Sequence, residues 1–296
     1  LGFRVQLYGM DEYNKLFTPR QLVALTTFSD LVGEAREQAL ADARAAGLPD
    51  DDIPLRDGGT GARAYAEAVS VYLAFGYSRI SQYWSNISAW HSTGEKMQPV
   101  FGRQAIPMVW DFAEANPFSS SSGNWTGSID WIWKSIEVMP SFGVSVAQQT
   151  DAAGIHMPSA AVVSTDPPYY DNIGYADLSD FFYVWMRPSL QSVYPNLFGT
   201  MLVPKEAEMI ASPYRHGSRE AANKHFEGGL QQTFRSIRRF TSTDFPVTVY
   251  YAYKQQDSEP VDTSEGEVQS QVVSSGWETM LSSLIDSGFS IDGTWP

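Results

Sequence analysis

The chain contains no cysteine and only four histidines among its 296 residues. Disulfide frameworks and cysteine-ligated zinc sites are therefore excluded, and the scattered histidines lack metal-ligand spacing, so we predict no metal site. The absence of cysteine fits a reducing compartment, and we predict a cytoplasmic location. No apolar run reaches the roughly 18 residues of a membrane-spanning helix, which predicts no membrane association.

Basic residues are also scarce, since 20 Lys and Arg face 34 Asp and Glu for a net charge of −14. Nucleic-acid-binding modules usually carry a basic face, so any such surface has to be local. Arg235, Arg238 and Arg239, with Lys224 and His225 a few turns earlier, fall on one predicted helix. This group would suit phosphate contacts. A solvated helix face explains it at least as well.

Apolar residues are plentiful, at 43% of the chain with 14% aromatic, which is enough for a substantial core. Apolar periodicity predicts a mainly helical region over residues 1–100 and an α/β region over residues 101–296. We predict helices at 18–46, 62–84, 127–139, 177–187, 218–241 and 268–287, with strands at 3–7, 144–149, 160–165, 245–253 and 289–291. Acidic and glycine-rich residues at 50–61 predict a flexible linker.

The most informative stretch is the apolar run 160–165, which is followed by Asp166-Pro167-Pro168-Tyr169. The run predicts a buried parallel strand, and two successive prolines end it abruptly. A carboxylate, two proline carbonyls and an aromatic ring would thus follow the carboxyl end of a strand, which is where open α/β sheets bind ligands. An ordinary strand-ending turn would use the same residue types.

This set of groups suits recognition of a planar amino group. Asp166 can accept one N–H bond, and the Pro167 carbonyl can accept another, because proline keeps its backbone acceptor. The ring of Tyr169 can stack on a flat heterocycle. Two acceptors around one exocyclic NH₂ would aim the nitrogen lone pair at an electrophile.

The motif resembles the catalytic motif of amino-methyltransferases that use S-adenosylmethionine on adenine N6 or cytosine N4. The wider sequence resembles one group of them, the large DNA methylases described as adenine-specific, which carry a domain of unknown function and a zinc ribbon upstream. The resemblance covers nearly the whole chain. The segments that carry it are 16–22, 94–96, 101–118, 122–125, 166–169 and 294–296.

The resemblance implies a partial Rossmann-like methyltransferase sheet, S-adenosylmethionine as cofactor, and DNA as partner in a restriction-modification setting. It implies direct methyl transfer to a flipped base, with adenine N6 as the expected target. The family's glycine-rich cofactor loop is missing, since Gly58-Gly59-Thr60-Gly61 follows three aspartates and no apolar strand. We therefore expect the loop on a missing upstream segment and the chain to be an internal or C-terminal fragment.

For the cofactor, the resemblance implies Asp151 and Ala152, which follow the predicted strand 144–149. Asp151 would accept a hydrogen bond from the cofactor's adenine amine, although an aspartate capping a turn is an equally good interpretation. Asp111 and Glu114 lie in an irregular, aromatic-rich stretch and are weaker candidates for the same pocket.

For the substrate, we expect Tyr170, Asp171 and Tyr175 near the mouth of the pocket, with Lys205 along a nucleic-acid path. Two alternatives remain open. The same motif would serve a methyltransferase that acts on RNA or on a protein amide. Without a glycine-rich loop, the chain would also suit a non-catalytic DNA-binding role.

Overall fold

The computed structural model describes residues 5–139, 142–143, 145–158, 160–170, 173–251 and 275–295. The chain forms two compact units, one from residues 1–146 with 175–204, and the other from residues 147–174 with 205–296. These units do not follow the predicted boundary after residue 100, because residues 101–146 group with the helical unit. No helix in the described residues has the length and apolar character needed to cross a membrane.

The first unit is built around four helices, α1 (Pro19–Ala45), α2 (Ala62–Ser81), α3 (Trp125–Val138) and α4 (Tyr175–Leu190). Helix α1 begins where the sequence predicts. The Thr18 side chain accepts from the Gln21 backbone N–H, and the Gln21 side chain accepts from the Thr18 backbone N–H, which completes a capping box. A short antiparallel pair, β1 (Trp90–His91) and β2 (Lys96–Met97), lies between α2 and α3.

Helices α1 and α2 pack against each other along a buried seam. Leu25 and Tyr77 are both fully buried, and the Tyr77 hydroxyl donates to the Leu25 carbonyl at 2.8 Å. Burial raises the pKa of Tyr77 well above its usual range, so the hydroxyl stays protonated as a donor. Helix α3 packs on α2 where a glycine allows close approach, and the Ser128 hydroxyl donates to the Gly76 carbonyl at 2.7 Å.

Helix α4 is longer than predicted at both ends. The expected end at Arg187 is wrong, because the helix continues through Pro188 to Leu190. Ser189 and Leu190 are buried, and the Ser189 hydroxyl lies 3.0 Å from that of Ser29 on α1. Tertiary packing therefore outweighs the local tendency of proline to end a helix.

The second unit carries the central motif. Strand β3 (Ser164–Thr165) pairs in parallel with β4 (Thr248–Val249). After the chain has passed through α4 of the first unit, it forms the single turn α5 (Pro213–His216) and the long helix α6 (Arg219–Phe240) before β4. Helix α7 (Ser275–Asp286) packs on α6. The core of this unit contains Ala211, Ala222, Phe226, Leu230, Phe234, Ile237, Phe240, Met280 and Leu284.

Several predicted strands are wrong in the described residues. Residues 5–8 form a 3₁₀ turn, residues 145–149 have no regular structure, and residues 289–291 pair with no strand. The predicted strand 245–253 reduces to the two paired residues of β4, and residues 252–253 lie outside the described chain. The fold is thus mixed, with helices dominating and only short strand pairs described.

Candidate functional site

The motif begins where β3 stops pairing. The Val163 carbonyl accepts from the Thr248 N–H at 3.0 Å, and the Thr165 carbonyl accepts from the Tyr250 N–H at 2.8 Å. Asp166 therefore follows the last ladder residue directly, and the two prolines lack the N–H groups needed to extend the ladder. The residues lie at the carboxyl end of a parallel pair, as the sequence predicts. The predicted burial of this strand is wrong, because Ser164 is exposed and Val162 is 65% exposed.

Asp166 and Tyr169 contact each other within this turn. The Tyr169 hydroxyl donates to Asp166 Oδ1 at 2.8 Å, and the Asp166 carboxylate is exposed. A carboxylate has two oxygens and about four acceptor positions, so this bond leaves acceptor capacity for a ligand. The Tyr169 ring is half-buried and meets the ring of Tyr251 edge to face, with centroids 5.4 Å apart and planes at 88°.

Tyr170 anchors the motif to the core. Its ring lies 5.0 Å from the fully buried ring of Phe226 on α6, and its carbonyl accepts from the Ala211 N–H at 3.0 Å. Its φ of +44° is an uncommon backbone conformation for a bulky residue, and such conformations concentrate at functional sites. We interpret Tyr170 as the residue that fixes the turn, whereas the sequence suggested that it lines the base pocket.

Asp151 caps a short turn in the same unit as the motif. Its Oδ1 accepts from the Ala153 N–H at 2.9 Å, which starts a 3₁₀ turn over Ala152–Gly154. The Ser236 hydroxyl on α6 donates to the Ala153 carbonyl at 2.8 Å and holds the turn against the helix. The Asp151 side chain is exposed, so it combines the capping role with access to a ligand.

The remaining predicted residues are distributed over both units. Asp111 is exposed in the helical unit, where Glu114 is also placed. Glu114 accepts from the Thr18 hydroxyl at 2.8 Å and from Arg20 at 2.6 Å. Both of its carboxylate oxygens are thus engaged at the start of α1.

Three predicted substrate residues remain. Tyr175 is exposed at the start of α4 in the helical unit, and Lys205 is half-buried in the motif-bearing unit. Asp171 lies outside the described residues. The structure therefore groups the four motif residues with Tyr170, Asp151, Ala152 and Lys205 in one unit.

The structure adds an aromatic group that sequence reasoning missed. Tyr251 follows β4, and its ring centroid lies 6.3 Å from that of Trp277 at the start of α7. The available signal was the tyrosine pair Tyr250-Tyr251 at the end of a predicted strand beside the motif strand. Carboxyl ends of neighbouring parallel strands share one edge, so aromatics there approach the motif.

The basic residues of α6 divide between its two ends. The Phe240 carbonyl at the last residue accepts from the Ala161 N–H before β3, whereas Phe226 in the first half contacts Tyr170 after β3. Arg235, Arg238 and Arg239 therefore belong to the end away from the motif, and Lys224 and His225 to the near end. The expected single patch is in fact two groups, about 16 Å apart at 1.5 Å per residue.

Two histidines stack in the same unit, with the ring centroids of His216 on α5 and His225 on α6 4.2 Å apart. The pKa of His216 is lowered from its ordinary 6.5, first by burial and then by His225 and Arg215, while a hydrogen bond to the Ile210 backbone opposes them. His216 Nε2 is buried and has no hydrogen-bond partner within the described part of the chain. No group of three or more metal-ligating side chains occurs in that part.

We expect acid to destabilise this unit through His216. A lowered folded pKa means that the unfolded chain binds the proton more tightly, so stability is full above about pH 6.5 and falls as pH drops through the folded pKa. Between pH 7.5 and pH 5.5, the free energy of unfolding measured in urea should fall less for His216→Gln than for the wild type. His156→Gln, at an exposed position in the same unit, is the control. An equal decrease in the free energy of unfolding for the wild type and His216→Gln would contradict this account.

A scan against protein-family models gives no match for this chain, and searches of curated proteins and of solved structures give no significant match.

Proposed function

We propose that this chain is the catalytic part of an S-adenosylmethionine-dependent DNA amino-methyltransferase, with adenine N6 as its target. One observation carries the proposal: Asp166-Pro167-Pro168-Tyr169 follows directly on a parallel strand, with an exposed carboxylate and a nearby aromatic ring. Helices α4, α5 and α6 lie between β3 and β4 in the chain, and α6 belongs to the same unit as the two strands. Two parallel strands with a helix between them form the repeating unit of a Rossmann-like sheet, which is the fold we propose for this region.

In the proposed reaction the target base leaves the DNA stack, which costs a few kcal/mol. Tyr169 would stack on the flipped base, while Asp166 and the Pro167 carbonyl would accept hydrogen bonds from the two N–H groups of its amino group. These bonds direct the nitrogen lone pair away from the ring, toward the methyl donor. The amino nitrogen would then displace the thioether directly, so that the N–C bond forms as the S–C bond breaks and one amino proton is released to solvent. Positioning would supply most of the rate, without a covalent bond between enzyme and base.

S-adenosylmethionine supplies an electrophilic methyl group on a sulfonium centre. Asp151 fits a contact with its adenine, because an exposed carboxylate in the motif-bearing unit can accept from an exocyclic amine. The backbone N–H of Ala153 occupies one acceptor position of this carboxylate and fixes its orientation.

A non-catalytic DNA-binding role is the second candidate, and the missing glycine-rich loop favours it. Gly58–Gly61 follows a 3₁₀ turn and precedes α2, so no strand leads into it. The segment is also a tight turn and not the predicted flexible linker, because a Cβ on Gly59 would lie 2.1 Å from the Ile53 carbonyl oxygen. It offers no match to a phosphate- or cofactor-binding loop.

Calorimetric titration with S-adenosylmethionine separates the two candidates. We expect saturable binding that weakens about tenfold or more in Asp151→Ala, since a hydrogen bond to a charged group contributes about 1.5–3 kcal/mol. Asp244→Ala, which removes an exposed carboxylate from the same unit, should bind like wild type. Absence of binding by the wild-type chain would favour the non-catalytic role.

Transfer of a labelled methyl group separates the possible substrates. Wild-type protein is incubated with labelled S-adenosylmethionine and, in parallel, with duplex DNA, RNA of the same sequence and a glutamine-containing protein. We expect label in DNA alone. Label in RNA or protein, with none in DNA, would reassign the substrate while leaving the motif chemistry in place.

A further inference from the structure

Tyr251 reaches the motif from the neighbouring strand. The Tyr250 N–H donates to the Thr165 carbonyl at 2.8 Å, which sets the end of β4 beside the start of the motif. The next side chain, Tyr251, then meets the Tyr169 ring nearly perpendicularly at 5.4 Å. The contact is an edge-to-face arrangement of the kind that aromatic pairs prefer.

Tyr251 is itself held in place by α7. Its hydroxyl donates to the Gly276 carbonyl at 3.3 Å. A Cβ on Gly276 would lie 3.1 Å from the Tyr251 hydroxyl oxygen and 3.4 Å from Tyr170 Cβ, so the first turn of α7 packs closely on both tyrosines. Motif, β4 and α7 thus meet at one aromatic ring.

On these grounds we propose that Tyr251 is a positioning residue for methyl transfer, which holds the Tyr169 ring in the orientation that stacks on the target base. This inference rests on the proposed function. Tyr251 acts through Tyr169 and not on the reacting atoms. Rotation of a tyrosine ring about χ2 is soft, so a packed neighbour is needed to fix its plane.

Three variants test the proposal by methyl-transfer kinetics on duplex DNA. Tyr251→Ala should lower kcat/KM about tenfold, mainly through a higher KM for DNA, because Tyr169 then binds the base less well. Tyr251→Phe keeps the ring and should stay within about threefold of wild type. Gly276→Ala should shift KM in the same direction as Tyr251→Ala, since its methyl group crowds the Tyr251 hydroxyl. The control is Gly228→Ala on α6, where an added Cβ meets nothing within 4 Å.

A second readout does not depend on turnover. With 3-fluorotyrosine at position 169, the ¹⁹F signal should shift and broaden in Tyr251→Ala but stay near the wild-type position in Tyr251→Phe. A merely structural role for Tyr251 would change thermal stability without this selective effect on residue 169.

The outcomes distinguish this inference from the proposed function. An active wild type with unchanged KM in Tyr251→Ala overturns the positioning role and leaves the methyltransferase proposal intact. A wild type that binds DNA and S-adenosylmethionine but transfers no methyl group overturns both. A raised KM in Tyr251→Ala, rescue in Tyr251→Phe and the matching ¹⁹F change support the inference.

Discussion

Replacing Asp166 by alanine is expected to lower the rate of methyl transfer at least about a hundredfold. The substitution removes one of the two proposed acceptors for the target amino group and the partner of the Tyr169 hydroxyl. Misplacing reacting atoms by about 1 Å is enough for a loss of this size. The fold should be unaffected, because Asp166 is exposed and surface substitutions usually change stability by less than about 0.5 kcal/mol.

Matched variants separate the acceptor role of Asp166 from its bond to Tyr169. Tyr169→Phe removes the hydroxyl and keeps the ring, so it should retain most of the activity. Tyr169→Ala removes the proposed stacking surface and should raise KM for DNA. The rate of all three variants is measured as a function of DNA concentration with saturating S-adenosylmethionine, which gives both the maximal rate and the KM for DNA. If Asp166→Ala methylated DNA near the wild-type rate, the proposed catalytic role of the motif would be wrong.

Replacing Phe226 by alanine is expected to destabilise the motif-bearing unit by about 3–5 kcal/mol, the usual cost of emptying a buried phenylalanine site. Phe226 is fully buried in the core of this unit. Its ring also supports Tyr170, so the cavity would open beside the residue that fixes the motif turn. The expected consequence is faster amide exchange in residues 160–170 and 206–216.

Hydrogen exchange read by peptide measures this effect within one unit. Phe245→Ala is the control, because Phe245 belongs to the same unit and is 59% exposed. It should change exchange little in either segment. Equal protection of both segments in wild type and Phe226→Ala would show that Phe226 does not support the turn.

Helices were the features most accessible from the sequence, because their signals are local. Thr18-Pro19 predicted the start of α1, and Ser218 caps α6 by accepting from the Ala221 N–H. Gly47 and Gly288 end helices with φ of +83° and +87°, as expected for glycine after a last turn. Each of these signals is contained within a few residues.

Strands were less accessible, since a strand exists only where a distant partner pairs with it. Alternation over 144–149 has the period of a strand, yet the described residues there pair with nothing. The motif strand is real but short, and its partner β4 follows the whole of α6. Local apolar runs fix where pairing is permitted but not where it occurs.

The candidate site shows the same division. The bond between Asp166 and Tyr169 lies within one turn and follows from the motif itself. The contact with Tyr251 depends on strand pairing, and the link between Glu114 and Thr18 joins residues 96 positions apart. Neither contact has a signal in the local sequence. The sequence therefore suggested Glu114 as a pocket residue, whereas its carboxylate binds the first residues of α1.

The most direct measurement is mass-spectrometric identification of nucleosides from DNA incubated with this chain and S-adenosylmethionine. The proposed function predicts N6-methyladenine with wild-type protein and a loss of at least about a hundredfold with Asp166→Ala. Unmodified DNA from wild-type protein that binds both DNA and S-adenosylmethionine would contradict it. If RNA and protein also stayed unmethylated, the Asp-Pro-Pro-Tyr turn would be a structural strand ending and not a catalytic site.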